Sequence, residues 1–552
     1  MYLDQQFRPF LTVARTGALA AFMFASGMPL SASGQTPAPQ PAPVPSLPAP
    51  ASSRLVRQNP VVVEGSPLSM DEAVRMALEN NLGIQQERLT PEIQSYGVAR
   101  ASAVYTPALF STLSRGSAAA PPSDFLSTGV AVVTSGSFFT QAGVQQNVKF
   151  GGGSYQFAWD GSRATSDAPR TVFSPQLGSH VNAVYNQPLL RGFKIDTLRQ
   201  QLLQSQNQLQ VADIQLRQRI TVTGRNVRAA YYNLVGAIAG LDVAQQSLDL
   251  ARQSLKNNQT RVEVGTMAPI DIVAAEAEVA SNEENVIIAE ASIQSAQDQL
   301  RALISNPSKP DFWSARYKPT DQPLLAPQTV DVDAAVKNAL ANRTDLLEFK
   351  KTMESTDISK RFAENQRLPA VDLQARYGLT GIGGTQFRYG TPTIDGEAPP
   401  ILGQSVRGFA DVLRDVFGNN YRAWSFAVNV SYPIGMSQAE AGVAQAKLQQ
   451  QQERTQLTNL EMQVTTQVRE AARGVNTNLK RVEATRKARE LAERRLEAEE
   501  KRFTVGLSST FELVQAQRDL ARARQNELNA TIDYNRSLVD FETVQVAPIS
   551  GR

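Results

Sequence analysis

The sequence predicts a mainly α protein with transmembrane β-strands, its protomer built as two tandem repeats that each carry a long helical hairpin. Three observations predict it. The chain duplicates itself, its helical stretches are far longer than a compact domain uses, and short runs of strict apolar/polar alternation lie between them.

The duplication opens at residues 68–81. Ser69 followed three places later by Glu72 is a capping box, and Ala73, Val74, Ala77 and Leu78 form an apolar helical stripe. Residues 332–342 repeat this segment. A shift of 262 (333 − 71) pairs Asp71 with Asp333, Ala77 with Ala339 and Asn80 with Asn342, and later Pro107-Ala108 with Pro369-Ala370. A second shift, 241, pairs Arg261, Val264 and Gly265 with Arg502, Val505 and Gly506, and Asp271 with Glu512. The shifts differ because the β-rich middles differ in length. The first repeat therefore spans 68–305, with strands in 104–188 and a helical hairpin in 194–305. A connector, 306–330, leads to a second repeat at 331–545, with strands in 371–433 and a hairpin in 437–544. A tail, 546–552, follows.

The long helices come next. One heptad position reads Val227, Leu234, Leu241, Leu248, Leu255, Val262, and its counterpart reads Val468, Val475, Val482, Arg489, Leu496, Phe503. Arg489 is the only misfit. Gly265 and Gly506 stop these helices, and Pro269 can begin a returning one. Two antiparallel hairpins follow, with a coiled-coil-like seam in place of a compact core.

Among the strands, Trp424, Phe426, Val428, Val430 and Tyr432 alternate with polar or small residues, as do Val371, Leu373, Ala375 and Tyr377. In the first repeat, strands at 138–150 and 154–162 flank a tight turn at Gly151-Gly152-Gly153. Period two with aromatic residues on the apolar face suits a transmembrane strand of about 9–11 residues. A half-buried strand of a soluble sheet alternates in the same way; the missing globular core and the N-terminus favour the barrel. The Gly-rich region 381–422 holds either further strands or elaborate loops.

At the N-terminus, Arg8 and Arg15 precede the apolar stretch 18–30, which ends in Ser31-Ala32-Ser33-Gly34. Residues 1–34 read as a secretory signal peptide, a short membrane anchor being the alternative. A Pro/Ala-rich linker, 35–67, follows. The formal net charge of +3 gives no nucleic-acid footprint. With no Cys and one His, His180, the chain lacks the usual residues for metal, thiol or acid–base chemistry. No enzyme motif and no cofactor site is read from it.

These features together resemble the TolC family of outer-membrane efflux and secretion proteins. The resemblance is carried by the 68–81 opening, by Asn186-Gln187-Pro188-Leu189-Leu190-Arg191-Gly192-Phe193 where a strand meets a long helix, and by Tyr432-Pro433-Ile434-Gly435. The two tips, Val264-Gly265 and Val505-Gly506, complete it. It implies a TolC-like homotrimer with one shared β-barrel in outer-membrane lipid and one shared α-barrel in the periplasm. It further implies an exit duct for small molecules in a tripartite efflux system, with a periplasmic adaptor (membrane fusion) protein and an inner-membrane transporter of the RND or ABC type. By the same resemblance, Arg261, Val264, Gly265, Thr266, Arg502, Val505, Gly506 and Leu507 form the tips that dock the adaptor. Asp271, Glu512 and Gln515 stand at the entrance constriction, Gln515 where the family carries a second acid. Gln187, Pro188, Tyr432 and Pro433 mark the strand-to-helix transitions. For Glu512, stabilisation of a helix N-terminus is an equal reading. A type I protein-secretion conduit and a non-conducting coiled-coil envelope protein remain as alternatives.

Overall fold

The computed structural model describes residues 65–121, 131–168, 171–323, 327–391, 400–432, 434 and 437–548. The signal-peptide stretch, almost all of the linker, Pro433 and the end of the 546–552 tail lie outside the described residues. The first half of the chain comprises β1 (Ser66–Leu68), α1 (Met70–Asn80), α2 (Leu82–Ala103), β2 (Ala108–Ala120), β3 (Val133–Asn147), β4 (Ser154–Ser166), β5 (Phe173–Pro188), α3 (Thr197–Glu263) and α4 (Ile270–Ile304). The connector contributes β6 (Tyr317–Pro319), which pairs in parallel with β1. The second half comprises α5 (Val332–Asn342), α6 (Thr344–Gln366), β7 (Ala370–Tyr389), β8 (Ile401–Arg407), α7 (Phe409–Phe417), β9 (Arg422–Ser431), α8 (Gln438–Thr504) and α9 (Thr510–Val544).

The helices of the two halves match in length: 11 residues for α1 and α5, 67 for α3 and α8, 35 for α4 and α9. At 1.5 Å per residue, α3 and α8 each run for about 100 Å. Ser69 accepts the Glu72 amide at 3.2 Å, but the Glu72 carboxylate binds Arg75 at 2.6 Å. The expected capping box is thus only half made, because a guanidinium one turn on outcompetes the cap amide for that carboxylate.

The heptad seam is the core. Val227, Leu234, Leu241 and Leu248 are buried on α3 and belong to one cluster with Val286, Ile293, Leu300 and Ile304 of α4. On α8, Val475 and Val482 pack with Ala530, Tyr534 and Leu538 of α9, while Leu496 and Phe503 pack with Leu513, Ala516 and Leu520. Between these two clusters sits Arg489, bonded to Glu493 at 2.8 Å and to Glu527 at 2.5 Å. The seam's one misfit is therefore a polar layer, with its guanidinium neutralised from both helices.

All large strands form one antiparallel sheet, in the order β2-β3-β4-β5-β7-β8, with β9 also paired to β7. Register places Trp159, Val181 and Leu379 on one face and Asp160, His180 and Thr380 on the other. Phe157, Tyr185, Tyr377, Trp424, Phe426 and Val430 line the apolar face, and all are exposed. On the polar face, His180 Nδ1 lies 2.9 Å from Asp160 Oδ2. No described helix is long and apolar enough to cross a membrane.

Two expectations need correction. The strand placed at 138–150 ends at Asn147, because the Val148 amide donates to Gly153 O at 2.7 Å and closes the turn early. Phe150 consequently leaves the sheet and stacks edge-on against Phe193 at 6.2 Å. The 381–422 region is neither simply strand nor simply loop. β7 continues through Gly381, Gly383 and Gly384, and α7 packs onto it. A Cβ at Gly381 would collide with the Val412 carbonyl, so glycine is what lets the helix approach. The helical signal was present: Phe409, Val412, Leu413 and Val416 repeat at helical spacing, and Val412 and Val416 are fully buried.

Because Leu234 is fully enclosed, Leu234→Ala is expected to lower stability by about 2–5 kcal/mol. Arg489→Leu, at a partly exposed ion pair, should change it by less than about 1 kcal/mol. Urea unfolding followed by the helical circular-dichroism signal separates the two; a larger effect at Arg489 would contradict the packing described.

Candidate functional site at the helical tips

Each hairpin turns at a glycine in the left-handed region, Gly265 (φ 78°) and Gly506 (φ 80°). The locks on the two turns are the same. Thr266 N–H donates to Arg261 O and Leu507 N–H to Arg502 O, both at 2.8 Å. Gly265 N–H donates to Val262 O at 2.9 Å and Gly506 N–H to Phe503 O at 3.2 Å. These are paired Schellman motifs, which satisfy the orphan carbonyls at each helix end. Val264, Ile270, Val505, Leu507 and Phe511 are left exposed around the turns.

The returning helices begin differently. Pro269 heads α4 without a side-chain cap bond, and Asp271 lies in its first turn. At α9, Ser509 and Glu512 form a complete capping box: Ser509 N–H donates to Glu512 Oε2 at 3.0 Å, and Glu512 N–H to Ser509 Oγ at 3.3 Å. The Ser508 hydroxyl lies 2.9 Å from the same carboxylate oxygen. The Ser509 amide foremost, then the Ser508 hydroxyl, hold the Glu512 carboxyl below the usual carboxylate range. Gln515 donates to Asp519 at 3.0 Å, and Asp519 also meets Arg495 at 3.0 Å. Within one protomer, Glu512 and Gln515 thus each engage neighbours on their own hairpin.

The two tips are tied together by contacts that periodicity gave no reason to expect. Arg261 donates to Phe503 O at 3.1 Å, and its guanidinium sits 4.5 Å from the centre of the Phe503 ring. Met267, just past the first turn, packs into the cluster of Leu496, Phe503 and Leu513 in the second hairpin. Two turns further in, Arg518 clasps the buried Glu278 carboxylate through Nε at 2.9 Å and Nη2 at 2.5 Å. Gln517 to Ser254 (2.9 Å), Arg524 to Gln246 (2.8 Å) and Arg225 to Asp540 (2.7 Å) continue this line between the hairpins.

At the other end, the strand-to-helix step is a hydrogen-bonded joint. Gln187 Nε2 donates to Gly151 O at 2.8 Å, and its Oε1 accepts from Tyr185 at 2.7 Å. Pro188 pairs with Asp372 at the last rung of the ladder. Gly192 (φ 83°) then turns the chain, Asn365 accepts its amide at 2.7 Å, and Asp196 caps α3 through Arg199 N–H at 2.7 Å. Tyr432 follows β9 and is exposed, while Pro433 lies outside the described residues.

Glu512's depressed pKa stabilises the start of α9 above the unfolded carboxylate value of about 4.3 and loses that effect as pH falls through the folded value. A spin label on Phe511→Cys should therefore become more mobile as pH falls from the unfolded carboxylate value of about 4.3 through the lower folded one. In a Glu512→Ala background it should be mobile at neutral pH and insensitive to acid. An unchanged acid response in that background would remove Glu512 as the cap.

The chain matches the outer membrane efflux protein family model at residues 70–306 and 335–544. It is 26% identical over 313 residues to the outer membrane protein TolC of Escherichia coli K12, a match covering 56% of this chain and 58% of that protein, less than two thirds of its length. The multidrug resistance outer membrane protein MdtP of the same organism is 24% identical over 158 residues, covering 28% of this chain and 31% of MdtP. Among solved structures, the Campylobacter jejuni CmeC outer membrane channel superposes with a TM-score of 0.61 at 14% identity, covering 86% of this chain and 85% of CmeC. The outer membrane protein VceC of Vibrio cholerae gives 0.59 at 14% identity, over 86% and 96%. The fold is thus that of these outer-membrane channels, and the chain belongs to the outer membrane efflux protein family.

Proposed function

We propose that three copies of this chain form an exit duct that carries small molecules across the periplasm and the outer membrane. The observation that carries this reading is the sequence of parts along one protomer. A sheet with one apolar, exposed face passes through a hydrogen-bonded joint into helices of about 100 Å, which end in two locked turns. The apolar face suits outer-membrane lipid. The helices, each with polar residues such as Gln200, Gln201 and Gln204 outside its seam, suit the wall of a water-filled tube. Such a chain conducts; it does not catalyse.

The tips are the docking end in this reading. Exposed apolar side chains clustered at a turn mark a protein contact, so Val264, Val505 and Leu507, with Arg261, Gly265, Thr266, Arg502 and Gly506, receive a periplasmic adaptor, behind which stands an inner-membrane transporter of the RND or ABC type. Asp271, Glu512 and Gln515 face the narrowed entrance once three copies assemble. The Arg261–Phe503 and Arg518–Glu278 ties hold the two hairpins of a protomer together at rest.

Purified protein in planar bilayers should give discrete conductance steps, and Arg261→Ala with Arg518→Ala should raise the conductance or open time severalfold. Silence of both proteins would refute the duct. In cells, Gly265→Pro or Gly506→Pro should abolish export while the oligomer persists, because proline cannot take the left-handed turn and lacks the amide that locks it. Normal export by both would remove the tip assignment.

A further inference from the structure

The two repeats contribute unequally to the sheet: four long strands, β2 to β5, come from the first and two, β7 and β9, from the second, beside the short β8. Among the described residues, β3, β4, β5 and β7 have neighbours on both sides, whereas β2 and β9 each have one. β2 leaves α2 and runs away from the helices; β9 runs back toward α8, so the two free edges point in opposite directions. Nearly every residue of both strands is exposed, among them Leu113 at 71% and Val430 at 67%. Each edge carries a single charge, Arg115 on β2 and Arg422 at the start of β9, and neither carries a Pro or a bulge against its one neighbour, two of the usual protections of an edge that faces water. In hydrocarbon a row of unpaired amides and carbonyls has no solvent to bind, and only closure satisfies it.

We propose that β2 of one copy pairs antiparallel with β9 of the next. Each protomer then supplies six strands (β2, β3, β4, β5, β7 and β9), and three copies close an eighteen-stranded barrel. This rests on the trimeric duct reading above. What it adds is that the whole β2–β3 hairpin stands in the wall and neither folds into the lumen nor caps the outer mouth.

The duplication supplies the register. Within a protomer, β7 meets β5 with Asp372 opposite Pro188. By the 262-residue shift Phe110 is the counterpart of Asp372, and Pro433 holds in sequence the place of Pro188. Carrying the pairing over sets Leu113 opposite Val430, Thr112 opposite Ser431 and Ser114 opposite Asn429. The faces then agree without adjustment. Leu113 lies on the same face as Val144, Phe157 and Trp424, and Ser114 on the same face as Asn429.

The lower turn of the inserted strands argues for the same placement. Gly151 and Gly152 take positive φ (71° and 68°) and tuck that turn into the strand-to-helix joint. There Gly151 O receives Gln187, and a Cβ at Gly152 would lie 2.6 Å from both Gly192 O and the Asp196 carboxylate. The β3–β4 connection is thus anchored at the base of the barrel wall, level with the other strands. Strand number sets barrel width, and an eighteen-stranded wall leaves an aqueous channel of porin breadth. The narrow part of the duct then lies in the helices, not in the membrane.

The chain has no cysteine, so introduced pairs report unambiguously. Directly opposed residues of antiparallel strands bring their Cα atoms to about 4.5–5.5 Å, within disulfide range. Oxidation of membranes holding the Leu113→Cys/Val430→Cys protein should link chains into dimers and trimers on a denaturing gel. A Phe157→Cys/Val430→Cys protein should stay unlinked. Ser114→Cys/Asn429→Cys, on the polar face, reads the same contact should the first pair block assembly. Linkage of the Phe157 pair instead, or no linkage at any pair in particles of trimer mass, would overturn the six-strand wall and leave the trimer standing. Monomer mass of the extracted wild-type protein by light scattering would overturn the trimeric reading and this proposal with it.

Discussion

A helix of 67 residues with one apolar stripe has no fold of its own to retreat into; it must find a partner along its whole length. That requirement organises everything else in the protein. α4 and α9 return along α3 and α8 for 35 residues each, and α2 and α6 cover much of the remainder from the other side of the junction. The seam residues Val227, Leu234 and Leu241 are shut away completely or nearly so, in clusters strung along the hairpins. Burial is distributed as a line, and the polar residues left over form a surface long enough to wall a passage.

The sheet obeys the complementary requirement for backbone groups. Its strands alternate, so that one face carries Phe157, Trp159 and Tyr377 and the other Asp160, His180 and Asn182, with Arg163 and Phe139 as exceptions on the two faces. Between sheet and helices the chain must change periodicity from two to 3.6 within a few residues. Gly192, Asn365 and Asp196 supply the turn, the amide acceptor and the cap that make the change abrupt. Family membership and channel-like fold follow from this linear arrangement, and no single side chain carries it.

Much of this was legible in the residues because it is periodic. Heptads named the seam, alternation named the strands, and Gly265 and Gly506 named the turns. What escaped was what periodicity does not encode. The Arg518–Glu278 and Arg261–Phe503 ties join residues some 240 places apart, with no local signature. The end of β3 at Asn147 was decided by one amide, that of Val148, choosing a turn carbonyl over the ladder. α7 was hidden by the glycines around it, which read as loop although they are there to admit a helix. Glu72 and Glu512 stand at the same place in a capping pattern, and only the second closes its box, because Arg75 lies within reach of the first.

The polar layer at Arg489 separates the cluster of Val475, Val482 and Tyr534 from that of Leu496, Phe503 and Leu513, whereas the matching layer of the first hairpin is apolar, with Leu248 and Val286 in one cluster. Packed blocks are the units in which a protein opens locally. The second hairpin accordingly has a boundary between blocks at a level where the first carries apolar side chains. Local opening of the block of Leu496, Phe503 and Leu513 can therefore end at the partly exposed charge cluster of Arg489, Glu493 and Glu527. Of two arms built to one plan, only the second is interrupted by charge at this level.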